Sequence, residues 1–369
     1  MSTDGPTEDS SESSVVTTQV TTQVTTQVAT HRSNSPLLEL YRDMRRIRTF
    51  EERVGELFLR GESAGSMLHL SIGEEAIAGV CRAMNSGDSF TTHHRGHGIF
   101  LARGADPNRM MAEIAGKQTG YCKGKGGSMH IADMGLGHLG ANAIVGGGIP
   151  HVVGAALGFR NRQEPQVAVA FFGDGAMQQG ILYESMNMAA LWRLPVVFCC
   201  INNQYGMGTR IDRAAANVEF DQRAKAFGLN AIMVDGVDVE AVYRSASELF
   251  DAARRGEPGF ISMDCFRFHG HARMDKSPYR SEQEELAGRQ RDPLDFARNR
   301  LIAGSKVTAD RLVQLDTDIL TEMDAALDYA VVSTPPATAS MFQHVFDDAS
   351  TQPCPLRVRL AKVLSEHLT

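Results

Sequence analysis

Two polar clusters in this chain are spaced to hold a cation. Asp174 lies in Gly173-Asp174-Gly175 and Asn203 in Asn202-Asn203, with residues 176–201 between them. A carboxylate and an amide carbonyl are hard oxygen ligands. They suit magnesium, which takes one or two protein oxygens and completes its octahedron with phosphate and water. Gly173 and Gly175 let a backbone come close to a phosphate. A helix beginning near Ala176 would turn free N–H groups and the positive end of its dipole towards that phosphate. Taken alone, Gly-Asp-Gly reads as a tight strand-to-helix turn, and Asn-Asn as a loop without a ligand. The spacing between them argues for a metal–diphosphate site.

The elements that must position these residues are visible around them. Val167 to Phe172 and Val196 to Ile201 are unbroken apolar runs, the pattern of strands buried on both faces of a parallel sheet. Tyr183 to Trp192 reads as a helix that Pro195 stops. The unit is strand, helix, strand, and each polar cluster follows a strand's carboxyl end, where open parallel sheets bind ligands. Leu37 to Arg60 reads as an amphipathic helix, Gly73 to Met84 as a second, Ser89 to Thr92 as a strand, and Asn108 to Gly116 as a helix. Gly120 to His130 and Gly135 to Pro150 are glycine-rich, without a Walker pattern. A small-residue helix, Ile149 to Phe159, precedes the diphosphate unit, and Gln204 to Ala216 follows it as a loop. Asp221 to Phe227 and Val239 to Arg255 read as helices, Ala231 to Val234 as a strand. Pro258 to Phe268 reads as a strand ending at His269-Gly270-His271, followed by a charged helical stretch from Glu282 to Gly304 and helix to about Val331. The alternation predicts an α/β fold, a doubly wound and mostly parallel sheet with extra helices at both ends.

Gly173-Asp174-Gly175-Ala176, one strand–helix–strand unit, then Asn202-Asn203-Gln204-Tyr205-Gly206-Met207-Gly208-Thr209 resembles the thiamine diphosphate signature. More narrowly, it resembles the alpha subunit of the thiamine-dependent decarboxylating component of 2-oxo acid dehydrogenase complexes, from about Leu37 to about Ala330. The resemblance implies thiamine diphosphate and Mg2+ as cofactors and a sheet of the thiamine-diphosphate-binding type. It implies that Asp174 and Asn203 ligate magnesium with the backbone carbonyl of Tyr205, and that Arg95 with His94 holds the diphosphate. In many relatives a tyrosine stands where His94 does. It further implies that Gly173, Gly175 and Ala176 approach the diphosphate and that the Ala143-Ile144-Val145-Gly146 backbone, at Ala143 and Val145, contacts the aminopyrimidine. His97 and His269 match histidines near the diphosphate and the reaction centre. His69 matches one facing the substrate, so His69, His97 and His269 are the catalytic candidates. His271 shares the loop of His269.

The reaction implied is decarboxylation of a small 2-oxo acid, then acyl transfer to a lipoyl-bearing acyltransferase. Activation of the cofactor needs a carboxylate from a second α/β domain, which residues 36–369 lack. A beta subunit is expected to supply it in an α2β2 heterotetramer. Pyruvate is the leading substrate. Thr119 to Asp133 and Gly146 to Pro150 look equally like acetoin dehydrogenase alpha subunits, and an inactive scaffold is the reading from another class. Relatives that carry a regulatory serine after His-Gly-His have it where Ala272 stands. The loop Arg273 to Tyr279 looks one residue short of the mitochondrial pattern, so a bacterial-type, cytoplasmic enzyme is expected.

Composition agrees with a globular enzyme. Of 369 residues, 43% are hydrophobic and 22% charged, with a formal net charge of −7. That charge gives no reason to expect nucleic acid or an anionic membrane as partner, and no apolar run reaches the roughly 20 residues of a membrane span. The six cysteines, at 81, 122, 199, 200, 265 and 354, form no Cys-x-x-Cys pair, and Cys199, Cys200 and Cys265, in expected buried strands, read as reduced core residues. Residues 1–35 are rich in Ser and Thr and repeat Thr-Thr-Gln-Val across 17–28. They read as a disordered low-complexity tail with too few large apolar groups to offset chain entropy.

Overall fold

The computed structural model describes residues 36–65, 67–305 and 307–344. The expected tail at 1–35 and Cys354 lie outside the described residues. The sheet is built from β1 (Ser89–His93), β2 (His138–Asn142), β3 (Ala168–Gly173), β4 (Val196–Asn202), β7 (Asn230–Asp235) and β8 (Gly259–Asp264). Their order is β2-β1-β3-β4-β8-β7, and every pairing is parallel. Strands β5 (Tyr205–Gly206) and β6 (Thr209–Arg210) form a small antiparallel hairpin beside it.

Successive side chains of a strand point to opposite faces, and the central strands show it. Val169, Phe171, Val197, Cys199 and Ile201 join one core with the Leu37–Leu59 and Val239–Arg254 helices. Ala168, Ala170, Phe172, Val196, Phe198 and Cys200 join the other with the Ile149–Asn161 and Gly180–Leu191 helices. Helices thus cover both faces, as a doubly wound sheet requires. Leu40, Met44, Ile47, Phe50, Val54 and Leu57 form the buried stripe of the first helix, against which the Ala309–Val332 helix packs. Asp88 ties the start of the sheet together. It accepts from Val167 N at 2.8 Å and from both terminal nitrogens of Arg254 at 3.0 and 2.6 Å. Among the described residues no helix is long and apolar enough to cross a membrane.

Several elements differ from the sequence reading. Strand β2 is not among the elements expected, because His138-Leu-Gly-Ala-Asn carries little β-propensity, and pairing with β1 makes it a strand. The helix expected near Ala176 starts at Gly180. Asp174–Gln178 forms a tighter 3-10 turn, and extended Gln179 separates the two. The last strand stops at Asp264 rather than Phe268, because Phe268 N leaves the sheet to bond Ile72 O at 2.9 Å. Gln204–Ala216 contains the β5–β6 hairpin, with Gln204 and Met207 at φ 72° and 56°. The charged stretch after Glu282 splits where Asp292 caps a new helix whose first residue is Pro293.

His138 lies between the rings of Phe90 and Phe100, at 4.7 and 4.8 Å, with Nε2 3.1 Å from Thr92 Oγ1. Burial lowers its pKa from 6.5 to about 4. From pH 6.5 downward the unfolded chain therefore binds a proton that the native state refuses. Native stability from this group is complete above pH 6.5 and is lost as pH falls towards 4. The loss reaches up to about 1.4 kcal/mol per pH unit. His138→Phe should make the fall in stability across that window shallower by this amount in urea unfolding. An unchanged slope would show that the imidazole already carries its proton in the fold.

Candidate functional site

The chain runs outward from β1 to β2 and returns to β3 on the other side of β1. This reversal opens a crevice at the carboxyl edge of the sheet. A cavity of about 420 Å³ lies there. Its walls come from the turns that follow five strands. His93, His94 and Arg95 lie at and after the end of β1, and Asn142 to Gly146 at and after the end of β2. Gly173 to Ala176 follow β3, Asn203 and Tyr205 follow β4, and Arg267 and His271 follow β8. His94, Arg95, Ala143, Val145, Gly173, Asp174, Gly175, Ala176, Asn203 and Tyr205, expected from sequence, therefore meet in one space.

Register sets the distance between the two polar clusters. Gly173 pairs with Ile201, so the Asp174 turn and the Asn202-Asn203 turn leave neighbouring strands at the same edge of the sheet. Asp174 is 1% exposed, and its Oδ2 has no hydrogen-bond partner. Burial raises its pKa to about 6. A buried carboxylate oxygen without a donor is costly for the protein alone and is what a cation ligand requires. Asn203 donates from Nδ2 to Glu74 Oε1 at 2.8 Å and accepts at Oδ1 from Tyr205 N at 3.2 Å. Neither Gly173 nor Gly175 needs a positive φ. A Cβ at Gly173 would meet only Ile201 O at 3.9 Å, and one at Gly175 only Gly206 Cα at 3.6 Å. Neither position is crowded by the protein, so an occupant of the cavity could approach the backbone at both. The donor set and this cradle fit a magnesium ion carrying a diphosphate.

Two fully buried arginines supply positive charge. Arg95 donates from Nη1 to Leu70 O at 2.6 Å and from Nη2 to His271 O at 2.9 Å. Its Nε lies 3.7 Å from Glu74 Oε1, and burial lowers its pKa to about 10. Arg267 is held by His269 O at 3.0 Å and Tyr279 Oη at 3.0 Å. Both guanidiniums are fixed by protein acceptors before any anion arrives, the preorganisation that phosphate recognition rewards.

The histidines divide into two groups. His94 and His271 line the cavity, and His69, outside the lining, completes a triangle of rings with them, with centroids 4.6, 4.8 and 5.4 Å apart. Burial lowers all three, His69 to about 3 and His271 to about 4, so they are neutral at pH 7. His97 is elsewhere. Its Nδ1 lies 3.1 Å from Glu51 Oε2, and its Nε2 lies 2.9 and 3.1 Å from Ser128 Oγ and O. Burial alone would raise the Glu51 carboxyl, but His97 and Ser71 outweigh it and keep it low. Both ring nitrogens of His97 are engaged by protein, and the ring is outside the cavity lining. It ties the glycine-rich loop to the first helix. His269 is also outside that lining. Its carbonyl holds Arg267, while burial and then Arg273 and Arg289 lower its ring to about 4. A tight turn at Gly270, where a Cβ would meet Asp275 O at 2.3 Å, delivers His271 to the cavity instead.

Glu74 and Arg267 are not legible in the sequence as site residues. Both sit among apolar neighbours, Ile72 to Ala78 and Phe266-Arg267-Phe268, where a charge signals burial with a partner. That signal does not identify the partner. His271→Ala should lower the turnover of the assembled enzyme by about tenfold or more, the effect of roughly 1.4 kcal/mol. His269→Ala should stay within about threefold, since its ring does not line the cavity. Steady-state kinetics on the pair checks this, and equal losses would contradict the placement of the two rings.

The sequence profile described as Dehydrogenase E1 component matches residues 42–338. The chain is 41% identical over 312 residues to the alpha subunit of acetoin:2,6-dichlorophenolindophenol oxidoreductase of Bacillus subtilis, covering 84% of this chain and 93% of that one. It is 41% identical over 319 residues to the pyruvate dehydrogenase E1 component subunit alpha of Zymomonas mobilis, covering 85% and 90%. It is 39% identical over 311 residues to the subunit of that name from Rhizobium meliloti, covering 84% and 89%. This chain belongs to the dehydrogenase E1 component family.

Proposed function

We propose that this chain is the alpha subunit of a thiamine-diphosphate-dependent pyruvate dehydrogenase of the acetyl-transferring type, a cytoplasmic enzyme of bacterial kind. The observation that carries the reading is the unpaired, buried Oδ2 of Asp174 beside Asn203, in a cavity that also holds Arg95 and Arg267. When bound, the cofactor supplies a nucleophilic carbon and an electron sink for decarboxylation. Asp174, Asn203 and the Tyr205 carbonyl would hold Mg2+. Arg95, Arg267 and His94 would hold the diphosphate against the Gly173–Ala176 turn. The backbone at Ala143 and Val145 would seat the aminopyrimidine. His69 and His271, neutral at pH 7 and unable to repel the cofactor's positive ring, would face the reacting end as hydrogen-bond donors or proton carriers.

A beta subunit would complete the site. Ile144 and Val145 at the cavity rim are 74% and 51% exposed, an apolar edge of the kind that a partner surface covers. That partner would bring the carboxylate that engages the aminopyrimidine, in an α2β2 assembly serving a lipoyl-bearing acyltransferase. Ala272 leaves no hydroxyl after His-Gly-His, so phosphorylation there plays no part. A second reading has an observation of its own. The Thr119–Asp133 stretch looks like acetoin enzymes, and the identity to an acetoin relative equals that to a pyruvate one.

Asp174→Ala should abolish Mg2+-dependent cofactor binding in calorimetry while leaving the fold intact, since a small hard cation loses its charged ligand. Unaltered affinity would remove the metal assignment. The chain alone should be inactive and should gain dye-linked turnover with its beta partner. Pyruvate should then be favoured over acetoin by about tenfold or more in kcat/KM, roughly 1.4 kcal/mol at the transition state. The reverse preference would establish the acetoin reading, and turnover by the chain alone would refute the division of labour.

A further inference from the structure

Glu74 is buried at 1% exposure beneath the cavity, and nothing so far gives it a role. Its Oε1 accepts from Asn203 Nδ2 at 2.8 Å and lies 3.7 Å from Arg95 Nε, and its Oε2 makes no hydrogen bond. The chain nevertheless goes to some length to place it. Gly73 just before it takes φ 99°, and a Cβ there would meet Phe266 O at 2.0 Å. The Ile72 carbonyl is bound by Phe268 N. This crossing presses the Glu74 segment under the end of β8.

An Asn amide has two orientations of nearly equal shape, and its neighbours decide between them. Here one carboxylate and one N–H make that decision. With Nδ2 on Glu74, Oδ1 receives Tyr205 N and keeps a lone pair for the cation. In the flipped amide Oδ1 would oppose the carboxylate, Nδ2 would oppose the Tyr205 N–H, and an NH2 group would face the metal. A carboxylate is acceptor-only, so it cannot support the wrong orientation as a neutral amide or hydroxyl could.

We propose that Glu74 is the positioning residue of the metal site, acting through Asn203 by holding its amide with the carbonyl towards the cation, and touching neither cation nor cofactor. The inference rests on the metal reading given above and extends it to a residue that does not itself ligate. It explains why an unpaired carboxylate oxygen is kept in the interior, where an apolar side chain of similar size would cost less.

The test is the Mg2+ concentration that half-saturates thiamine diphosphate binding to the enzyme assembled with its partner. Glu74→Ala should raise it by about tenfold or more, the scale of a lost hydrogen bond to a charged group. Glu74→Gln, which can still accept from Asn203, should raise it by roughly two- to fivefold, since a neutral acceptor is weaker. Asn203→Asp supplies the control that a structural role would not pass. Its two oxygens are equivalent, so no orientation remains to be set. In that background Glu74→Ala should not raise the Mg2+ requirement, and relief of like charge should lower it. An equal rise in both backgrounds would overturn the proposal, as would a Glu74→Ala enzyme with wild-type Mg2+ dependence. If Glu74→Ala fails to assemble, Glu74→Gln in the two backgrounds separates the same two outcomes. Cofactor binding by wild type that ignores Mg2+ would instead overturn the metal reading beneath it.

Discussion

The parallel pairing of β3 with β4 is the constraint on which the site depends. Six residues of β3, Ala168 to Gly173, pair in unbroken register with Val196 to Ile201, and almost every side chain on both strands is buried. A slip of one residue would send each side chain to the opposite face and disrupt both cores together. The same register brings the turns that carry Asp174 and Asn203 to one edge of the sheet, where both line the cavity. The proposed metal site would therefore inherit its place from apolar packing, with Glu74 and Tyr205 N fixing the Asn203 amide.

Beyond those strand ends, the cavity concentrates charge that the fold must tolerate before any ligand binds. Arg95 and Arg267 are both at most 2% exposed, and Asp174 and Glu74 are both 1% exposed. Their formal charges cancel, yet the pairing is incomplete. Arg95 stands 3.7 Å from Glu74, and one oxygen on each carboxylate is unbonded. Burial raises both carboxyls and lowers Arg95. A site optimised for stability alone would not look like this. Groups held in place with unsatisfied bonding capacity are suited to a cation and an anion arriving together, because little reorganisation then remains. His94 and His271 extend the same surface without adding charge, and the buried ring of His69, outside the lining, packs against both.

The glycine-rich segment Gly120 to His130 shows how distant residues support this centre. Glu113 receives the backbone N–H groups of Cys122, Gly124, Gly126 and Gly127 at 2.8 to 3.1 Å. Ser128 at its end meets His97, His97 meets Glu51, and Glu51 accepts from Ser71. Ser71 neighbours the Leu70 carbonyl that holds Arg95. Glycines with a serine suggest a phosphate loop, but here one carboxylate takes the amides that a phosphate would have used.

Local chemistry made much of this legible from sequence alone. The buried strands, the first and last helices and the doubly wound order follow from apolar periodicity, which acts over a few residues. Asp174 and Asn203 were legible because type and spacing relative to strand ends place them at one sheet edge, whereas Arg95 and Tyr205 came from the resemblance to a known family. What stayed hidden depends on long-range pairing. Strand β2 exists because β1 offers it hydrogen bonds. His271 rather than His269 reaches the cavity because Gly270 and Asp275 close a turn after the chain has left the sheet. Glu74 meets Asn203 across 129 positions of sequence. Burial removes water as a partner, so a charge inside must be met by whatever the fold brings near. Only the tertiary structure decides what that is.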